Sequence, residues 1–118
     1  MKVIIAGGRD FDNYTIMYNA VKELQKEIEI TRVVCGGARG ADLIGAKIAT
    51  TLNIPVDYFF ADWDTYGKAA GIIRNHQMGD YADYLLAFWD GKSKGTKDMI
   101  NYMQQLGKHG KVIHYEIN

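Results

Sequence analysis

The sequence predicts an α/β protein, a doubly wound three-layer sandwich built on a five-stranded parallel sheet in the order 3-2-1-4-5. Three observations predict it. Short apolar, β-branched runs alternate along the chain with segments whose apolar residues recur at helical spacing. Glycine-rich turns, Gly7-Gly8-Arg9-Asp10 and Gly36-Gly37-Ala38-Arg39-Gly40, stand between such runs and the helices that follow. The only proline, Pro55, opens the third run, and a strand carrying proline is best tolerated on a sheet edge. With right-handed crossovers these features select the strand order.

Lys2 to Ala6 reads as the first strand, ended by Gly7 to Phe11. Asp12 or Asn13 can cap the next helix, which places Tyr14, Met17, Tyr18, Val21, Leu24 and Ile28 on one face. Lys22, Glu23, Lys26 and Glu27 occupy the other face. Arg32 to Cys35 is the second strand, and Ala41, Ile44, Gly45, Ile48, Ala49 and Leu52 mark a helix starting near Gly40. Ile54 to Phe60 forms the third strand, closed by Asp62-Trp63-Asp64, with a helix between Thr65 and Tyr81. Tyr84 to Phe88 is the fourth strand. A polar loop from Trp89 leads into a helix from about Thr96 to Leu106, and Lys111 to Tyr115 is the last strand. No linker or internal repeat divides the chain, so residues 1–118 read as one domain.

Composition narrows the function classes. Hydrophobic residues are 47% and charged residues 24%, with 14 basic and 14 acidic side chains. A chain of zero formal charge lacks the broad basic field of a non-specific nucleic-acid or membrane binder. One cysteine, Cys35, allows no internal disulfide, and no Cys/His spacing suits a metal. Val3-Ile4-Ile5-Ala6 is too short for a signal peptide or a membrane span, so a cytoplasmic protein is expected.

In such a fold every strand-to-helix loop opens on one sheet edge, and ligands bind at the switch point between strands one and four. A strand, a glycine turn and a helix N-terminus suit an anion, usually a phosphate. Gly36, Gly37, Ala38, Arg39, Gly40 and Asp42 form one such candidate, with Arg39 as a forked cation. Gly8, Arg9 and Asp10 form a second. Gly95-Thr96 opens the last helix, where Thr96 or Ser93 could equally act only as a cap. Asp62-Trp63 and Trp89-Asp90 follow strands three and four, where a tryptophan can stack a base or close over the core. Arg74-Asn75 lies on the third helix. Cys35 reads as a buried small residue, and the three histidines show no metal or triad spacing.

These motifs together resemble the SLOG superfamily, and most closely its branch of small stand-alone proteins related to YspA and YpsA. The carriers are Gly7 to Phe11, Gly36 to Asp42, Ala61-Asp62-Trp63, Ala70-Gly71 through Arg74-Asn75 to Met78, and Ala87 through Gly95-Thr96. The resemblance implies a Rossmann-like fold and a nucleotide or nucleotide-derived ligand. No cofactor and no metal are expected. Some members are enzymes, some sense nucleotide signals in bacterial and phage conflict, and the DprA branch binds single-stranded DNA. The LOG phosphoribohydrolases carry Arg-Lys-x-x-Met and then Pro-Gly-Gly-x-Gly-Thr-x-x-Glu. Arg74 to Met78 is similar to the first motif, and Gly95-Thr96 to part of the second. The motif glutamate is replaced by Met99, with Asp98 one position earlier and about 100° away around the helix.

The expectation is therefore binding without turnover. Phosphates would sit on the Gly36–Gly40 turn and the Gly95-Thr96 helix start, paired by Arg9, Arg39 and Arg74. Trp63 or Trp89 would face a base or ribose. An N-glycosidic or phosphate-ester hydrolase using Asp10, Asp62, Asp90 or Asp98 is the alternative. A DprA-like DNA module is a second alternative, disfavoured by the neutral charge and the lack of a basic–aromatic groove. No membrane partner is expected. Related LOG proteins are dimers, so a homodimer or higher homo-oligomer could complete the site.

Overall fold

The computed structural model describes residues 1–116. Its sheet has the expected order, β3-β2-β1-β4-β5, with every pairing parallel. The elements are β1 (Lys2–Gly7), α1 (Tyr14–Glu27), β2 (Arg32–Cys35), α2 (Ala41–Thr51) and β3 (Val56–Tyr58). They continue with α3 (Trp63–Tyr66), a 3-10 turn (Gly67–Ala69), α4 (Ala70–Tyr81), β4 (Tyr84–Trp89), α5 (Lys94–Gln105) and β5 (His109–His114). This is a Rossmann-like three-layer sandwich.

Alternation along β1 divides the interior in two, because successive side chains leave a strand on opposite faces. Val3 and Ile5 join Met17, Val21 and Leu24 of α1 and Ile48 of α2. Ile4 and Ala6 join Met78 of α4 and Met99 and Met103 of α5. The central strands are apolar on both faces, as a parallel sheet covered twice requires. Asn13 caps α1, its Oδ1 accepting the Ile16 N–H at 3.0 Å.

Four elements differ from the sequence reading by two residues at one end or both. The third strand is three residues long because the chain leaves the ladder at both ends. Upstream, the Ile54 N–H turns back to the Ala49 carbonyl at 2.8 Å, and Pro55 has no N–H to give. The third helix starts earlier, at Trp63, and breaks at Gly67, whose φ of 56° cannot continue a right-handed helix. The last helix also starts earlier, at Lys94, because Ser93 supplies the cap. The last strand begins at His109, two residues before the expected Lys111, because His109 already pairs with Tyr84 of β4. Lys108 Nζ donates to the Gly79 and Ala82 carbonyls, each at 2.7 Å, and so holds the end of α4.

Candidate functional site

At the carboxyl ends of β1 and β4 lies a crevice of about 520 Å³. Three loops build it by backbone contact. The Ala41 N–H at the start of α2 donates to the Gly8 carbonyl at 3.1 Å, and the Gly8 N–H donates to the Phe88 carbonyl at 3.3 Å. Only glycine fits at residue 40, where φ is 79° and a Cβ would run into the Gly8 and Arg9 carbonyls. The two glycine-rich turns are thus one body at the switch point.

Asp42 stands inside that body. It is 7% exposed and lines the crevice. Its Oδ2 accepts the Ala38 N–H at 3.2 Å. The turn that the sequence offers to a phosphate thus already directs backbone donors at a resident carboxylate. Burial pushes the Asp42 pKa up to about 6, against the pull of Ala38, Arg74, Gly36 and Arg9. A carboxyl group held near neutrality in a cleft can hold or release a proton at working pH. Cys35 lies below, fully buried, and burial raises its thiol to about 12, with Asp42 adding to the shift. It is an inert core residue, as its place in the strand suggests.

Arg74 and Asn75 reach from α4 to the two loops on either side. Arg74 Nη1 donates to the Gly36 carbonyl at 2.7 Å. Asn75 Nδ2 donates to the Gly95 carbonyl at 3.0 Å and to Asp98 Oδ2 at 3.2 Å. Burial lowers the Arg74 pKa, Asp42 opposes the shift and Arg9 adds to it. Arg74 is therefore partly committed to structure. Arg9 and Arg39 are exposed, line the crevice, and take part in no ion pair among the described residues.

On the far wall, Ser93 Oγ accepts the Thr96 N–H at 3.4 Å, leaving Gly95 at the open start of α5. A Cβ on Gly95 would meet nothing within 4 Å. Thr96 is buried and lines the crevice. Asp90 also lines it, but its Oδ1 accepts the Lys92 and Ser93 N–H groups, each at 2.8 Å. Those bonds, the Ser93 amide first, hold its pKa below the usual carboxylate range. Met99, at the position of the motif glutamate, lies fully buried on the crevice wall. Asp98 faces α4, bonded to Asn75 and 3.2 Å from His76 Nε2, away from the crevice.

Most of the candidates come together: Gly8, Arg9, Asp10, Ala38, Arg39, Asp42, Trp63, Arg74, Asn75, Asp90, Gly95 and Thr96 all line the crevice. Asp10 also accepts the Tyr115 O–H at 2.8 Å. Gly36 and Gly37 face an adjoining concavity of about 360 Å³ with Phe60 and Ala61, and Gly40 is the support behind. Asp62 caps α3 through the Thr65 N–H at 3.1 Å. The two tryptophans part company. Trp63 is 52% exposed over the crevice, whereas the Trp89 indole N–H is bound to the Ser93 carbonyl at 3.0 Å and the residue stands outside it.

Sequence reasoning named Asn75 on one wall but missed its neighbours as lining residues. Lys68, Ile72 and Met78 line the crevice with Asn75 at steps of three or four residues. The exposed Ile72, at 51%, is the signal that this face fronts a cavity. Among the described residues no cluster of three or more His, Cys, Asp or Glu could hold a metal ion. No helix among them is long and apolar enough to cross a membrane.

Comparison with known proteins adds two findings. The family model described as "YspA, cpYpsA-related SLOG family" matches residues 1–66. The Gene 61 protein of Mycobacterium phage D29 is 36% identical over 113 residues, covering 90% of each chain. No solved structure matches the chain.

Proposed function

The chain belongs to the YspA, cpYpsA-related SLOG family, and from that premise we propose that it binds a nucleotide-derived small molecule in the switch-point crevice, as a sensor or sequestering protein. The observation that carries this reading is the pairing of two exposed cations, Arg9 and Arg39, without ion pairs among the described residues, with the open start of α5 across a crevice of about 520 Å³. The volume suits a small organic ligand, and the cations suit its phosphate. Asp42 takes the Ala38 N–H of the Gly36–Gly40 turn, so the phosphate sits toward Arg9, Arg39 and Gly95. Trp63 offers a face to the base, worth about 1–3 kcal/mol if it stacks.

A second reading, nucleotide hydrolysis, is favoured by one observation: Asp42, with a pKa near 6, is a buried acid–base candidate in the same crevice. Binding and turnover separate in one experiment. Nucleotides are titrated into the purified chain by calorimetry, and the same mixtures are analysed for products by chromatography. Saturable heat without product supports the binding protein. Product formation that is lost in Asp42→Asn supports the enzyme.

A further inference from the structure

The main crevice and the adjoining concavity share a wall, and that wall contains Arg9, Arg39, Arg74 and Trp63. The positive charge therefore stands between two adjacent compartments. Met78 and Met99 line the inner one. Phe60, 69% exposed, lines the outer one.

Phe60 is an aromatic held in place. Its ring lies over Gly37, where a Cβ would collide with it, and it stacks on Tyr58 with centroids 5.7 Å apart and planes 4° from parallel. Such a ring keeps a fixed orientation beside the outer concavity and needs little further ordering to receive a flat group. Each compartment, about 520 and 360 Å³, falls within the range of about 300–1,000 Å³ for single small-molecule pockets. A mononucleotide with its phosphate on the arginine wall fills one of them and leaves the other empty.

Resting on the nucleotide-binding reading above, we propose that the ligand is a dinucleotide: two nucleosides joined through a pyrophosphate or longer phosphate bridge. The bridge lies on Arg9 and Arg39, one base enters the crevice beside Trp63, and the other stacks on Phe60. Placing negative charge at the centre also relieves the mutual repulsion of the clustered guanidinium groups.

The test compares AMP, ADP and diadenosine diphosphate by calorimetry on the full chain, as wild type and as Phe60→Ala. Stacking of the second base corresponds to about 5- to 150-fold in affinity. The wild type is expected to bind the dinucleotide at least about 5-fold tighter than ADP. Phe60→Ala should erase that advantage while changing ADP affinity less than about twofold, since the exposed ring lies outside the inner crevice. Equal wild-type affinities for ADP and the dinucleotide overturn this proposal and leave mononucleotide binding standing, and that comparison needs no variant. A dinucleotide advantage that survives in Phe60→Ala also overturns it. Absence of binding by all three overturns it together with the nucleotide-binding reading on which it rests.

Discussion

Arg74 Nη1 lies 2.7 Å from the Gly36 carbonyl, a bond that ties α4 across the sheet edge to the turn after β2. The same guanidinium opposes the charge of the buried Asp42. Its loss leaves a half-buried carbonyl without its donor and removes a cation that favours the charged form of Asp42. Removing such a donor costs about 1–3 kcal/mol. Arg74→Ala should therefore destabilise the chain by about 1–3 kcal/mol in urea unfolding. Arg39→Ala, in an exposed loop without ion pairs among the described residues, should change stability by about 0.5 kcal/mol or less. Equal effects of the two substitutions would refute this division of roles.

Asp42 makes stability depend on pH in a direction opposite to most carboxylates. Its folded pKa, about 6, lies above the ordinary value of 3.8, so the folded state holds a proton that the unfolded state releases between those values. Stability then falls as pH rises from about 4 to 6, and the loss stays in place above that window. Two pKa units correspond to about 3 kcal/mol. Unfolding free energies of the wild type and Asp42→Asn, measured at pH 4, 5, 6 and 7, should converge toward the acid end and separate toward neutrality. The asparagine keeps an acceptor for the Ala38 N–H without the buried charge. Parallel curves would show that Asp42 titrates as an ordinary surface acid.

The chain should be a poor phosphoribohydrolase. Met99 stands on the crevice wall where the related hydrolases have a glutamate, and a thioether can neither move a proton nor steady a cationic sugar. Asp98 is bonded to Asn75 and 3.2 Å from His76, outside the crevice. Acid–base assistance is commonly worth about 10²–10⁴-fold, so release of adenine from AMP should stay at trace level. Robust release, followed by chromatography and abolished by Asp42→Asn, would make Asp42 the acid–base group and the protein an enzyme.

Much of this was legible in the sequence, for physical reasons that also explain what was not. Strand order follows from run lengths, crossover handedness and Pro55, all local or topological signals. The crevice follows from the fold, because parallel strands bring their following loops to one edge. Asp42 is different. Its residue number places it at the start of α2, but only folding shows that it turns back and takes the Ala38 N–H of the glycine-rich turn itself. Trp63 and Trp89 are indistinguishable as exposed or structural until the Ser93 carbonyl is seen to take the Trp89 indole N–H. Likewise Lys108 carries no motif, and its capping of α4 depends on a turn 26 residues beyond Ala82 in sequence.

The central claim is that the crevice binds the phosphate of a nucleotide-derived ligand through its exposed arginines. Its most direct test is calorimetric titration of the wild-type chain and Arg39→Ala with a panel of nucleoside mono-, di- and triphosphates and dinucleotides. A charge-assisted hydrogen bond of about 1.5–3 kcal/mol predicts saturable binding of at least one phosphate-bearing compound, weakened by about one to two orders of magnitude in the variant, whose melting temperature stays close to wild type. No binding across the panel, or identical affinities for wild type and Arg39→Ala, would contradict it.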